Sequence, residues 1–184
     1  MVPSAYVHIP FCDSICAYCD FVRIQKNESF FSSWKEKLIQ EIQEYKISSL
    51  HTLYFGGGTP SLLSVDDFVS IRNCFPKDIE EFTVECNPES LDEDKLNAYV
   101  ALGVNRISLG VQSFKDDLLK VCRRTHTASQ AISVIENIKK SSISTFSIDL
   151  IFGLPNQTME DVKKVYFYIF KFRYTTLIYL FIAD

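Results

Sequence analysis

Two apolar patterns take turns along this chain. Short runs rich in β-branched and aromatic residues recur at Ala5–Ile9, Thr52–Phe55, Glu81–Glu85, Arg106–Val111, Thr145–Ile151 and Thr176–Ile182, each with the length and composition of a strand. Between them the apolar residues fall three or four apart. Phe31, Trp34, Leu38, Ile42 and Tyr45 make one stripe across Phe30–Tyr45. Asp66–Cys74 is opened by Ser64, and Leu91–Leu102 is opened by Ser90 or Asp92 and stopped by Gly103. Ser129–Lys140 carries Ile132, Ile135 and Ile138 on one side, and Thr158–Phe172 starts with a polar cap followed by Glu160 and Asp161. The predicted order alternates strand and helix and implies a parallel sheet with right-handed crossovers. An open doubly wound sheet and a full or partial barrel both satisfy it.

The polar residues narrow the picture. Cys12, Gly56, Glu85, Gln112 and Asp149 all fall at or just past the end of a predicted strand. In a parallel β/α fold these ends gather on one face, where ligands bind. So many distinctive residues on that face point to a shared pocket.

Composition excludes several classes. With 184 residues, 47% hydrophobic and 23% charged, the chain reads as one globular domain, or one domain plus a fragment, and not as a disordered segment. A net charge of −4 argues against a nucleic-acid binder relying on a basic surface. Val165–Ala183 is broken by Lys171 and Arg173, so no transmembrane segment is expected, and Met1–Pro10 lacks the pattern of a secretory signal. The clustering of the six cysteines suggests a metal site in a reducing compartment, hence the cytoplasm.

The densest chemistry is Cys12-x-x-x-Cys16-x-x-Cys19, directly after the first predicted strand. A structural zinc site closes with four ligands and needs another Cys or His. His8 could supply it, yet it alternates with Val7 and Ile9 and reads as a wall of the sheet. Three thiolates suit an iron–sulfur cluster with one iron left open to a small ligand. Cys74, Cys86 and Cys122 have no partner spacing and read as small buried hydrophobes. His126, after Arg123-Arg124-Thr125, reads as a loop residue without chemistry.

The run Tyr6-Val-His-Ile-Pro-Phe-Cys12-Asp-Ser-Ile-Cys16-Ala-Tyr-Cys19-Asp20-Phe21 resembles the cluster loop of radical S-adenosylmethionine (SAM) proteins, and among them the oxygen-independent coproporphyrinogen III oxidase group. The resemblance continues through Gly56-Gly-Gly-Thr59-Pro60-Ser-Leu-Leu63, Glu85-Cys-Asn-Pro88, Gly103-Val-Asn-Arg-Ile-Ser-Leu-Gly-Val-Gln-Ser-Phe114 and Asp149-Leu-Ile-Phe-Gly-Leu-Pro155. It implies an α/β fold, a partial parallel (β/α)6 barrel ending after the sixth strand. Residues 1–184 would form the core domain, with the family's C-terminal domain absent.

By the same resemblance, Cys12, Cys16 and Cys19 hold three irons of a [4Fe-4S] cluster. SAM binds the fourth iron through its amino and carboxylate groups, and an electron from the cluster cleaves the sulfonium bond to give a 5′-deoxyadenosyl radical. Gly57, Gly58 and Thr59, which alone read as a tight turn, match the loop for the SAM amino group. Tyr6 is implied to contact SAM, Tyr18 to pack near its adenine, and Glu85 to accept from its ammonium or ribose hydroxyls. Gln112, Arg124 and Asp149 match positions that line a second small-molecule site or bind a second SAM. Arg124 on its own reads as an ordinary helix-surface arginine.

Phe21 separates two branches. The oxidases resemble C-x3-C-x2-C-x-C, whose last cysteine would fall at position 21. Asp20-Phe21 and the run Gly56–Leu63 instead resemble the HemW-type heme chaperones. That branch implies heme binding, an acceptor protein that takes the heme, and a reductant protein. The alternatives are the oxidase itself, or a plain iron–sulfur or zinc module, against which the glycine loop and Glu85 speak. Tyr179 and Asp184 resemble the family's sixth strand and its acidic residue, and Thr175 stands where the chaperones often carry His.

Overall fold

The structure is a computed structural model that describes residues 3–172 and 176–181. Its strands are β1 (Ser4–Ile9), β2 (Thr52–Gly57), β3 (Glu81–Cys86), β4 (Arg106–Gln112), β5 (Thr145–Phe152) and β6 (Thr176–Phe181). They form one six-stranded sheet in sequence order, and every neighbouring pair is parallel. A doubly wound sheet reverses its strand order at a switch point, whereas a barrel does not. The order therefore selects the partial (β/α)6 barrel, with the crossover helices on one face.

The helices are α1 (Glu28–Glu44), α2 (Val65–Arg72), α3 (Glu93–Ala101), α4 (Asp116–Val121), α5 (Ala128–Lys140) and α6 (Met159–Phe172). Helix α1 begins two residues before the apolar stripe because the Asn27 side chain accepts from the Phe30 N–H at 3.3 Å. Ser64 and Asp92 cap α2 and α3 in the same way. Thr127 and Gln130 form a reciprocal capping box at α5. Helix α4 does not appear in the sequence pattern, because six residues are too few to show a stripe. The readings placed on Thr175 and Asp184 fall outside what is described, while Tyr179 lies in β6 and pairs with Leu150. Among the described residues, no helix is long and apolar enough to cross a membrane.

Alternation along each strand gives the sheet two unlike faces. Val7, Ile9, Leu53, Phe55, Phe82, Val84, Ile107, Leu109, Ile148 and Leu150 are buried in one core with Phe31, Phe68, Tyr99 and Ile135 from the helices. The residues between them are mostly polar: Tyr6, His8, Tyr54, Thr83, Glu85, Arg106, Ser108, Ser147 and Asp149. Strands of a parallel sheet usually read as continuous apolar runs because both faces are covered. Here the inner face of the partial barrel is hydrophilic and suited to a polar ligand.

Candidate functional site

The loop that follows β1 is fixed at its root. The Phe11 ring meets Phe31 and Trp34 of α1 edge-on, at centroid distances of 5.3 and 5.1 Å. Phe11–Cys12 pairs in parallel with Ile24–Gln25, which ties off the loop between them. Cys12, Cys16 and Cys19 are free thiols, Cys12 buried and the other two half-buried. Burial pushes the Cys12 thiol up and the nearby Cys16 and Cys19 add to this, while the Thr59 hydroxyl opposes it by donating to Cys12 Sγ at 3.4 Å.

Two neighbours brace this loop. On the β2 side, the Gly58 N–H donates to the Ile9 carbonyl at 2.7 Å, and Asn87 Nδ2 donates to Thr59 Oγ1 at 3.3 Å. On the other side, the Ala17 N–H donates to the Cys122 carbonyl at 3.2 Å. Tyr18 packs there on Leu118, Cys122, Ile151 and Leu154. His8 is not poised as a fourth metal ligand, since Nδ1 faces the Tyr6 hydroxyl at 3.2 Å and Nε2 faces the Val22 carbonyl at 2.8 Å. Among the described residues, no three His, Cys, Asp or Glu side chains stand close enough to share one metal ion. A cubane cluster takes each thiolate on a separate iron and needs no such single-ion cage.

The inner face carries the carboxylates. Glu85 accepts from the Tyr54 hydroxyl at 2.7 Å and from the Gly57 N–H at 3.0 Å. Tyr6, more than half exposed, stacks on Tyr54 at 5.7 Å between centroids. Asp149 accepts from the Ser108 hydroxyl at 3.3 Å. Burial, with the charge of Glu85, pushes the Asp149 carboxyl up to about 6. The folded state therefore binds its proton more tightly than the unfolded chain does. Its contribution to stability is complete below the unfolded value of 3.8 and is lost as pH rises through about 6. Asp149→Asn should thus raise the melting temperature above pH 6 and leave it unchanged below pH 4, as read in thermal melts across that range.

Arg124 is not a helix-surface arginine. It lies just past α4 with a side chain only 6% exposed. Nη2 donates to Asn87 Oδ1 and to the Gly110 carbonyl, both at 2.7 Å, and Nη1 reaches Cys16 Sγ at 3.6 Å. Gln112 follows a bulge in β4, where Gly110 pairs with Asp149 and Gln112 with Leu150. It is buried at φ +59°. Gln112 Oε1 and Arg124 Nε are buried without a hydrogen-bond partner. Buried polar atoms are ordinarily paired, so these two suit a bound polar ligand or water.

A family model described as the radical SAM superfamily matches residues 6–169. The chain belongs to the radical SAM superfamily. That family implies a [4Fe-4S] cluster and SAM. Among curated relatives, the heme chaperone HemW of Lactococcus lactis is 44% identical over 87% of this chain and 44% of its own length. The heme chaperone HemW of Bacillus subtilis is 36% identical over 87% of this chain and 45% of its own length. The chain thus spans less than half the length of these relatives. The solved structure of coproporphyrinogen III oxidase (HemN) from Escherichia coli matches with a TM-score of 0.87 at 24% identity, covering 99% of this chain and 44% of that one. Native anSMEcpe with bound AdoMet matches with a TM-score of 0.70 at 17% identity, covering 100% of this chain and 52% of that one. These two likenesses show the radical SAM fold.

The donor set fits the implied groups: three thiols on one loop, donors at two of their sulfurs, and a polar inner face with open acceptors. Several residues of this arrangement escape a reading of motifs alone. Tyr54 and Ser108 were available from the period-2 alternation of the strands. Asn87 and Glu89 lie beside the matched Glu85 run, and only the fold shows them meeting Arg124. His126 is buried against Glu89 and is not a free loop residue.

Proposed function

We propose that this chain is the cluster- and SAM-binding part of a heme chaperone of the radical SAM type. The observation that carries the reading is the joint between the cysteine loop and the glycine turn, made by Thr59 on Cys12 and Gly58 on Ile9. In this reading Cys12, Cys16 and Cys19 hold a [4Fe-4S] cluster. Bound together, cluster and SAM supply one-electron reduction and radical chemistry. Thr59 and Arg124 each donate to a ligand sulfur and offset its charge. Gly57, Gly58 and Thr59 flank the SAM amino group. Each Glu85 oxygen holds one donor and keeps a lone pair for the SAM ammonium or a ribose hydroxyl. Tyr6 and Tyr18 border the same ligand, and Gln112, Arg124 and Asp149 line a second small-molecule position or a second SAM.

Heme is the cargo, passed to an acceptor protein, with a reductant protein supplying electrons in the cytoplasm, where the free thiols stay reduced. Phe21, largely exposed two residues after Cys19, disfavours the oxidase because no further thiol stands there. The test is heme titration by absorbance together with an anaerobic assay for protoporphyrinogen formation, on the reconstituted chain with SAM and reductant. Heme binding without product supports the chaperone. Product above a cluster-free control assigns the oxidase instead.

A further inference from the structure

His126 lies between α4 and α5 with its side chain fully buried. Nδ1 stands 3.0 Å from Glu89 Oε2, and Nε2 stands 3.2 Å from the Val111 carbonyl oxygen. A carbonyl has no hydrogen to give. Nor has an ionised carboxylate, and the Arg124 guanidinium 3.9 Å from Glu89 Oε2 favours the charged form of that side chain. Both ring nitrogens therefore face acceptors, and only a doubly protonated imidazolium can donate to both. The same Glu89 oxygen is 3.9 Å from Arg124 Nη2, and Arg124 Nη1 reaches Cys16 Sγ at 3.6 Å. With Cys16 as a thiolate, His126, Glu89, Arg124 and Cys16 form a row of alternating charge.

We infer that His126 is a positioning residue: as an imidazolium it pins the Glu89 carboxylate, which leaves the Arg124 guanidinium directed at Cys16 Sγ and raises the reduction potential of the cluster held there. The inference rests on the reading of Cys16 as a cluster ligand. Cluster potentials follow the hydrogen bonds made to their sulfurs and the net charge nearby. A cationic donor at one sulfur favours the added electron. Without His126, the half-buried Glu89 carboxylate keeps Arg124 as its neighbouring cation. It then draws the guanidinium toward itself and away from Cys16.

The test uses the full chain in two arms. The first is nitrogen NMR of the histidine-labelled chain before reconstitution, which should show both His126 ring nitrogens protonated, and this signature should be lost in Glu89→Gln. A neutral tautomer in the unsubstituted chain overturns the inference. The second arm is a redox titration of the reconstituted cluster by electron paramagnetic resonance. His126→Gln should shift the reduction equilibrium about tenfold toward the oxidised form, about 59 mV for one electron, whereas Glu89→Gln, which removes the carboxylate that competes for Arg124, should not. Combining His126→Gln with Arg124→Lys should add nothing to Arg124→Lys alone, because both act through the guanidinium. An unchanged potential in His126→Gln with full iron content overturns the inference and leaves the cluster reading intact. A chain that assembles no cluster at all overturns the reading of Cys16, while the NMR arm still decides the protonation of His126.

Discussion

Cys12→Ala, Cys16→Ala and Cys19→Ala should each leave the anaerobically reconstituted chain without most of its iron and sulfide. Loss of a residue that merely supports a metal ligand costs about 10- to 100-fold in metal affinity, and loss of a ligand costs more. His8 does not stand in for a lost thiol, since its nitrogens are engaged by Tyr6 and Val22. The other thiols provide controls. Burial pushes the Cys122 thiol up to about 11, with Cys16 adding to it, and burial raises Cys86 and Cys74 as well. Burial raises Cys12 too, but Cys12 shares its loop with two further thiols, whereas these three stand singly among apolar residues, so Ala at these positions should leave the cluster spectrum unchanged. Iron and sulfide analysis with the absorbance spectrum decides the matter. Full iron content in any one of the first three variants removes that cysteine from the ligand set.

What the sequence carried and what it did not follow from the range of the interactions. Strands and caps are local, so β1 to β6 were recovered to within two residues, and Ser64 and Asp92 cap the helices they precede. The cysteine spacing is local too. Arg124 is the opposite case. Its guanidinium meets a sulfur 108 positions away, and nothing around residue 124 announces that burial. His126 and Glu89 are 37 positions apart and depend on the same convergence of the β3 and β4 ends. The strand order that excludes a doubly wound sheet is likewise a long-range fact. The polar inner face was legible in principle, because Tyr54, Ser108 and Asp149 all alternate with buried apolar residues.

The glycines show two explanations competing for one motif. A Cβ on Gly58 would stand 2.7 Å from the Phe11 carbonyl oxygen, 2.9 Å from the Phe11 nitrogen and 3.0 Å from the Ile9 carbonyl oxygen. Gly57 has φ +114°, and its Cβ would stand 2.7 Å from the His8 ring. The room these residues leave is occupied by β1 and the root of the cysteine loop. Gly58→Ala must displace backbone and not a flexible side chain, so it should carry Cys12 out of register and reduce both iron content and SAM binding. Glu85→Gln should separate the two effects. It removes the negative acceptor shared by Tyr54 and Gly57 without touching the loop. A hydrogen bond to a charged group is worth about 1.5–3 kcal/mol, so SAM should bind about 10- to 100-fold more weakly to a cluster of full iron content. Both quantities come from one preparation: iron analysis, then a SAM titration followed through the spectrum of the reduced cluster. If Gly58→Ala keeps its iron and loses only SAM, the space at Gly58 serves the ligand and the steric account of the joint is wrong. If Glu85→Gln binds SAM as tightly as the unsubstituted chain, the carboxylate serves the Tyr54–Gly57 contact alone, and the ligand takes its acceptors elsewhere on the inner face.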